Sequence, residues 1–196
     1  MPLISVKELE RRVGDNYQSE VAIKSITESA LQEYLNPKRE YDVFLCHSSV
    51  DEPTIRRLNF WLETVLGLNV FVDWIEMPLL DRANVTSETA KILRDVMKRS
   101  KTLLYAFSEN SPNSTWMPWE LGFSDGLNKR IAIAPISYYE GVNDGFEGQE
   151  YLGLYPYVII QDSTRERREL WVHDPYNHSK YVIFESWQRG LEPYFH

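Results

Sequence analysis

The stretch "NSTWMPWELGFSDGL", residues 113–127, carries one acid in an apolar setting. A helix starting near Trp116 advances about 100° per residue, which puts Trp116, Trp119, Glu120, Phe123 and Leu127 on one stripe. Taking an unpaired carboxylate out of water is costly, so Glu120 must be bonded, protonated or kept for a ligand. Two readings follow. Glu120 accepts bonds from helix-start amides or pairs with a cation such as Lys129 or Arg130. Alternatively it orients sugar hydroxyls and steadies a cationic transition state, as glycosidic bond cleavage demands. Both tryptophans suit a core equally well, yet an indole four residues from a carboxylate shares its wall and can help to grip a ribose and a base.

Other chemistry-bearing residues close apolar runs. His47 and Ser48 end one, and Asp73 and Trp74 end another; each pair reads either as packing and turn residues or as binding residues. His173 and His178 flank "DPYN", a turn signal that begins at Asp174, with no histidine pair at helical i, i+4 spacing, so no metal is expected. The chain has no G-x-G-x-x-G and no G-x-x-x-x-G-K-[ST], hence no cradle for a dinucleotide held as a reusable carrier or for a P-loop nucleotide. It has no G-x-S-x-G elbow for a serine hydrolase either.

The elements that must position these residues alternate along the chain. "YDVFLCH" (41–47), "LNVFVD" (68–73), "TLLYAF" (102–107), "RIAIAPI" (130–136) and "YPYVIIQ" (155–161) read as strands. Between them lie helical repeats, one through Ile55, Leu58, Trp61 and Leu62, entered at Asp51, Glu52 and Pro53, where Asp51 or Glu52 can cap, and ended by Gly67. A second runs through Ile92, Leu93, Val96 and Met97. Alternation of this kind implies right-handed crossovers and a mostly parallel sheet covered on both faces. For five strands the common order is 2-1-3-4-5, and its ligand crevice lies outside the carboxyl ends of strands one and three. There "HSSVDEP" faces "SENSPNSTW", the loop that launches the helix of Glu120. Ahead of the sheet, Ile23, Ile26, Ala30, Leu31, Tyr34 and Leu35 predict an amphipathic helix stopped by Pro37. Behind it, "ELWVH" and "KYVIF" can pair across "DPYNHS", followed by a short helix at "SWQRGL".

Bulk properties narrow the partners. The 196 residues are 43% hydrophobic and 13% aromatic, enough for one cored domain with additions. A net charge of −8 with 21 dispersed Lys and Arg argues against a nucleic-acid partner. Cys46 is the one cysteine, so no disulfide forms within the chain and no cysteine-based zinc site is possible, which fits the cytosol. The opening "MPLISVKELERRVGD" lacks the apolar core of a signal peptide, and no apolar run approaches ~18 residues, so a cytoplasmic protein without membrane contact is expected.

Taken together, "YDVFLCHSSVDE", "VFVDW" and "VMKRSKTLLYAFSENSPNSTWMPWELGFSDGL" resemble the opening motif, second strand and W-x-x-x-E segment of Toll/interleukin-1 receptor (TIR) domains, particularly stand-alone bacterial ones. The resemblance covers roughly residues 41–136. It implies a flavodoxin-like α/β fold, with residues 41–162 as the TIR-like domain and 163–196 as a C-terminal extension of the same domain; residues 1–40 match nothing in the minimal domain and are expected to form a helical extension packed on it. For many bacterial and plant members it implies cleavage of the nicotinamide–ribose bond of NAD, with NAD as substrate and no cofactor. Carried over by position, the catalytic residue is Glu120. The W-x-x-x-E tryptophan is Trp116, the first-loop positions are His47 and Ser48, and the second-strand exit is Asp73 and Trp74. The resemblance further implies ADP-ribose or a cyclic ADP-ribose isomer as the product, and a use in antiphage defence as a signal to a separate effector protein or through NAD depletion.

The resemblance also implies a homo-oligomer, because in the family the loop after the second strand mediates end-to-end assembly. Here that loop, "WIEMPLLDRAN", has Pro78, Leu79 and Leu80 but no Pro-Gly pair. Two alternatives remain open at this point: a non-catalytic module that signals by self-association, and another glycosidic enzyme on a similar fold, such as a nucleoside deoxyribosyltransferase.

Overall fold

Alternation of side chains along each strand fixes what the helices must cover. The computed structural model describes residues 3–14, 38–73, 86–138, 150–162 and 168–196. Its elements in chain order are β1 (Ile4–Ser5), α1 (Val6–Val13), β2 (Tyr41–Cys46), α2 (Glu52–Thr64), β3 (Val70–Phe71), α3 (Ser87–Arg99) and β4 (Ser100–Phe107). There follow α4 (Trp116–Gly126), β5 (Arg130–Ser137), β6 (Tyr157–Asp162), β7 (Arg168–His173), β8 (Lys180–Ile183), α5 (Phe184–Gln188) and β9 (Tyr194–Phe195).

The central order is β3-β2-β4-β5-β6, all neighbours parallel, which is the expected 2-1-3-4-5 arrangement. The sheet does not stop at five strands. β7, β8 and β9 continue it antiparallel beyond β6, and β1 adds in parallel to β5 through Ile4↔Ile136 and Ser5↔Ser137. The expected pairing of the tail is present as Trp171↔Ile183, Val172↔Val182 and His173↔Tyr181.

Val43 and Leu45 of β2 point to one face with Leu104 and Ala106 of β4 and Ala132 and Ala134 of β5; Leu9, Ile55, Leu58, Trp61, Leu62, Phe184 and Trp187 cover them. Phe44 and Cys46 point to the other with Leu103, Tyr105, Ile131 and Ile133, under Leu93, Met97, Met117 and Leu121. Strands buried on both faces read as continuous apolar runs for this reason.

Helix ends follow local chemistry. Pro53 sits in the first turn of α2, where its missing N–H costs nothing. At the exit Gly67 takes φ +67°, its N–H donates to the Glu63 carbonyl (3.1 Å) and the Leu68 N–H to the Leu62 carbonyl (3.2 Å). Leu68 therefore belongs to the helix exit, and the strand expected over 68–73 pairs only at Val70–Phe71. Thr86 caps α3 by accepting the Thr89 N–H at 3.1 Å.

Val6, Leu9 and Val13 recur at three- and four-residue steps, a run too short to mark a helix by spacing alone. A helix of eight residues is too short to stand alone in water. α1 is held by packing against α2, with Arg57 and Glu10 3.3 Å apart across the pair. The helix expected within residues 20–35, Trp74, and the loop bearing Pro78, Leu79 and Leu80 lie outside the described residues.

Candidate active site

The carboxyl ends of β2 and β4 lie side by side, with Cys46 opposite Tyr105. His47 and Ser48 leave β2 there, both buried. His47 Nδ1 is 2.8 Å from the Leu45 carbonyl oxygen. A carbonyl only accepts, so Nδ1 carries the proton and Nε2 is presented to whatever lies beyond. That neighbour is Asp73, its Oδ1 3.5 Å from Nε2, with both side chains buried. Two residues singled out on different loops thus meet, while the bond from Nδ1 to the Leu45 carbonyl sets the imidazole plane. Ser48 gives its carbonyl to the Asp51 N–H at 3.1 Å, which opens the 3-10 turn Ser49–Asp51.

α4 begins at Trp116, and its first turn packs on the end of β2: the Cys46 thiol lies 3.8 Å from the Met117 carbonyl oxygen. Glu120 is 0% exposed. The buried face is rotated from the one the spacing suggests. It comprises Trp116, Met117, Glu120, Leu121 and Ser124, so Glu120 lies at its centre, while Trp119 and Phe123 are half-buried on one flank and Leu127 is exposed. Trp116 meets Trp119 edge to face at 5.4 Å, and Trp119 stacks on Phe123 at 5.9 Å, forming an aromatic wall along that flank. The cations offered by sequence as partners for Glu120 are engaged elsewhere. Lys129 Nζ donates to the Lys98 carbonyl at 2.9 Å, and Arg130 pairs with Glu192 at 2.9 Å while lying over the Trp187 ring.

Asp51 departs from its expected role. It occupies the N-cap position of α2 but makes no side-chain capping bond. Its carboxylate instead crosses the crevice. Oδ2 accepts from Ser108 Oγ at 2.5 Å, and Oδ1 accepts from Asn110 Nδ2 at 2.6 Å and from the Tyr138 hydroxyl at 2.5 Å. Burial, with the bond to Asp51 second, pushes the Tyr138 phenol up to about 12. The sequence signal was present only as an acid followed by polar loops.

Comparison with curated proteins gives two relatives. One, from Bacillus cereus strain MSX-D12, is named "Probable 3' cyclic ADP-D-ribose synthase ThsB'"; it is 45% identical over 175 residues, 88% of this chain and 87% of that protein. The other, TIR2 of Cytobacillus dafuensis, also carries a cyclic ADP-D-ribose synthase name and is 30% identical over 101 residues, 51% of this chain and 26% of that protein. The chain belongs to the bacterial TIR-domain family. Among solved structures, the TIR domain of the Toll-related receptor TRR-2 from Hydra magnipapillata aligns with a TM-score of 0.41 and 24% identity over 57% of this chain and 78% of that one. No protein-family model matches.

This TIR domain has a cavity beside Pro118 of α4. It measures about 600 Å³ and is lined by Tyr105, Phe107, Ser111, Pro112, Pro118, Glu150, Tyr151 and Leu152. Tyr105 lines it: burial first, then the electrostatic influence of nearby Cys46, Tyr151 and Glu120, pushes the phenol well above its ordinary range, so it stays a neutral hydrogen-bonding group. In the TIR domain's tail, Asp174 Oδ1 accepts the Tyr176 and Asn177 N–H groups at 2.9 and 2.8 Å, the turn the sequence signals. His173 packs between Tyr157 and Tyr181. Among the described residues no group of three or more His, Cys, Asp or Glu could hold a metal ion, and no helix is long and apolar enough to cross a membrane.

Proposed function

We propose that this TIR domain cleaves the nicotinamide–ribose bond of NAD and releases a cyclic ADP-ribose isomer. The carrying observation is a glutamate wholly buried in the helix that follows β4, at the crevice where a parallel sheet of this order takes its ligands. The 45% identity to a protein named as a 3' cyclic ADP-D-ribose synthase supports the 3' isomer as product. Nicotinamide leaves without needing a proton, and the ribosyl centre gains positive charge as the bond lengthens. Glu120 holds the ribose hydroxyls and stabilises that charge in a site shielded from water, and Trp116 with its aromatic neighbours walls it. Capture by a nucleophile of the same molecule closes the ring; capture by water gives ADP-ribose. His47, Ser48, Asp73 and Trp74 contact the substrate from the first and second loops. NAD is consumed, so the reading calls for no cofactor and no metal.

The same reading takes residues 1–40 and 163–196 as extensions of one catalytic domain over 41–162. It describes a cytoplasmic homo-oligomer in antiphage defence, whose product acts on a separate effector protein. Incubating the purified protein with NAD at high protein concentration and separating the products by chromatography tests it. Nicotinamide with a cyclic product is expected. A self-association module yields neither, and a deoxyribosyltransferase releases base only from a nucleoside with an acceptor base present; either result overturns the proposal.

A further inference from the structure

We infer that Asp51 is a positioning residue: it clamps the loop carrying His47 and Ser48 to the loop that sets α4, and so holds Glu120 in register with the first-loop residues. This rests on the NAD-cleaving reading above.

Three observations carry it. Asp51 is 1% exposed, and its side chain makes no cap for its own helix, so its contacts lie with other loops. Its three donors, Ser108, Asn110 and Tyr138, stand 57, 59 and 87 residues away and come from the ends of β4 and β5, so one carboxylate joins the exits of three adjacent strands. Beyond Ser108 the bonds run without a break toward the helix. The Ser108 N–H and the Asn110 N–H are taken by Ser111 Oγ (2.8 Å) and Ser108 Oγ (3.1 Å). Ser111, Asn113 and Ser114 N–H groups close successive turns, and Ser114 Oγ accepts the Met117 N–H at 3.3 Å in the first turn of α4. On the other side the Asp51 N–H holds the Ser48 carbonyl. A displacement at Asp51 therefore reaches Glu120 through a chain of turns and reaches Ser48 directly, without Asp51 touching the reacting atoms.

Loss of the clamp is expected to act on turnover more than on affinity, because misplacing a reacting group by about 1 Å costs on the order of a hundredfold. Asp51→Ala should lower kcat for nicotinamide release roughly a hundredfold with KM changed by less than about threefold. Asp51→Asn should restore most of it, since its amide oxygen can still accept from Asn110 and Tyr138 while its NH₂ donates to Ser108. Hydrogen exchange provides a readout independent of activity: amides of residues 108–117 should lose protection in Asp51→Ala while those of β2, β4 and β5 keep it. Should Asp51→Ala not fold, Tyr138→Phe and Ser108→Ala each remove one donor and should show the same pattern in weaker form. Wild-type kcat in folded Asp51→Ala, or exchange raised evenly through the sheet, overturns the inference. Wild-type protein that releases no nicotinamide overturns the NAD reading alone, and the exchange pattern then decides on the clamp.

Discussion

Replacing Glu120 by glutamine keeps the side-chain volume and removes one charge. A carboxylate about 4 Å from a developing unit charge contributes about 4 kcal/mol at an effective dielectric near 20, against about 1 kcal/mol in bulk water. Glu120 is 0% exposed, so the larger figure applies. At ~1.4 kcal/mol per tenfold, Glu120→Gln should lower kcat by about a thousandfold, where a solvent-screened acid would lose only about fivefold. The assay is nicotinamide release under saturating NAD, with circular dichroism and the thermal midpoint measured on the same sample. Folded Glu120→Gln with activity within tenfold of wild type would refute the electrostatic role assigned to the buried acid.

Trp61 of α2 is 0% exposed in the core, and Trp61→Ala should cost about 3–5 kcal/mol in chemical denaturation, with the urea midpoint falling and the slope kept. Burial pushes the Tyr157 phenol from 10.0 up to about 12, so the folded state holds this proton more tightly than the unfolded chain. Its stabilising contribution is complete below about pH 10 and is lost as pH rises toward 12, and Tyr157→Phe should lessen the fall of thermal midpoints across that window, with Tyr138 contributing to the rest. The opposite sign holds at His173, whose pKa is lowered, chiefly by burial, from 6.5. Its contribution is present above about pH 6.5 and falls away below, where the unfolded chain takes up the proton first; thermal midpoints unchanged between about pH 7 and pH 5 would contradict this.

Strands with both faces covered are legible as apolar runs, and so the central order and the crevice could be inferred from β2, β4, β5 and β6. The tail pairing was legible because "DPYNHS" announces its own turn. Phase was harder to read. Trp119, Phe123 and Leu127 suggested a stripe to one side of Glu120, whereas Met117, Leu121 and Ser124 complete the buried face; Met and Ser are weak markers of burial in a helix that ends in a loop. β1 and α1 were hidden because their hold comes from β5 and α2, far along the chain. The Asp51 clamp was hidden for the same reason: an acid before a helix reads locally as a cap, and nothing nearby announces donors on three distant loops.

The contact made by α5 spans a long stretch of the chain. Gln188 Nε2 donates to the Asp42 carbonyl at 2.8 Å and lies 3.3 Å from Thr102 Oγ1, so residues 146 apart in sequence close the start of the central strands. Loop closure over that span must precede its reward, which slows folding. A nascent chain therefore cannot close this contact until α5 has left the ribosome, so the hydrogen bonds at the start of β2 and β4 are completed only after every strand of the central sheet has been synthesised.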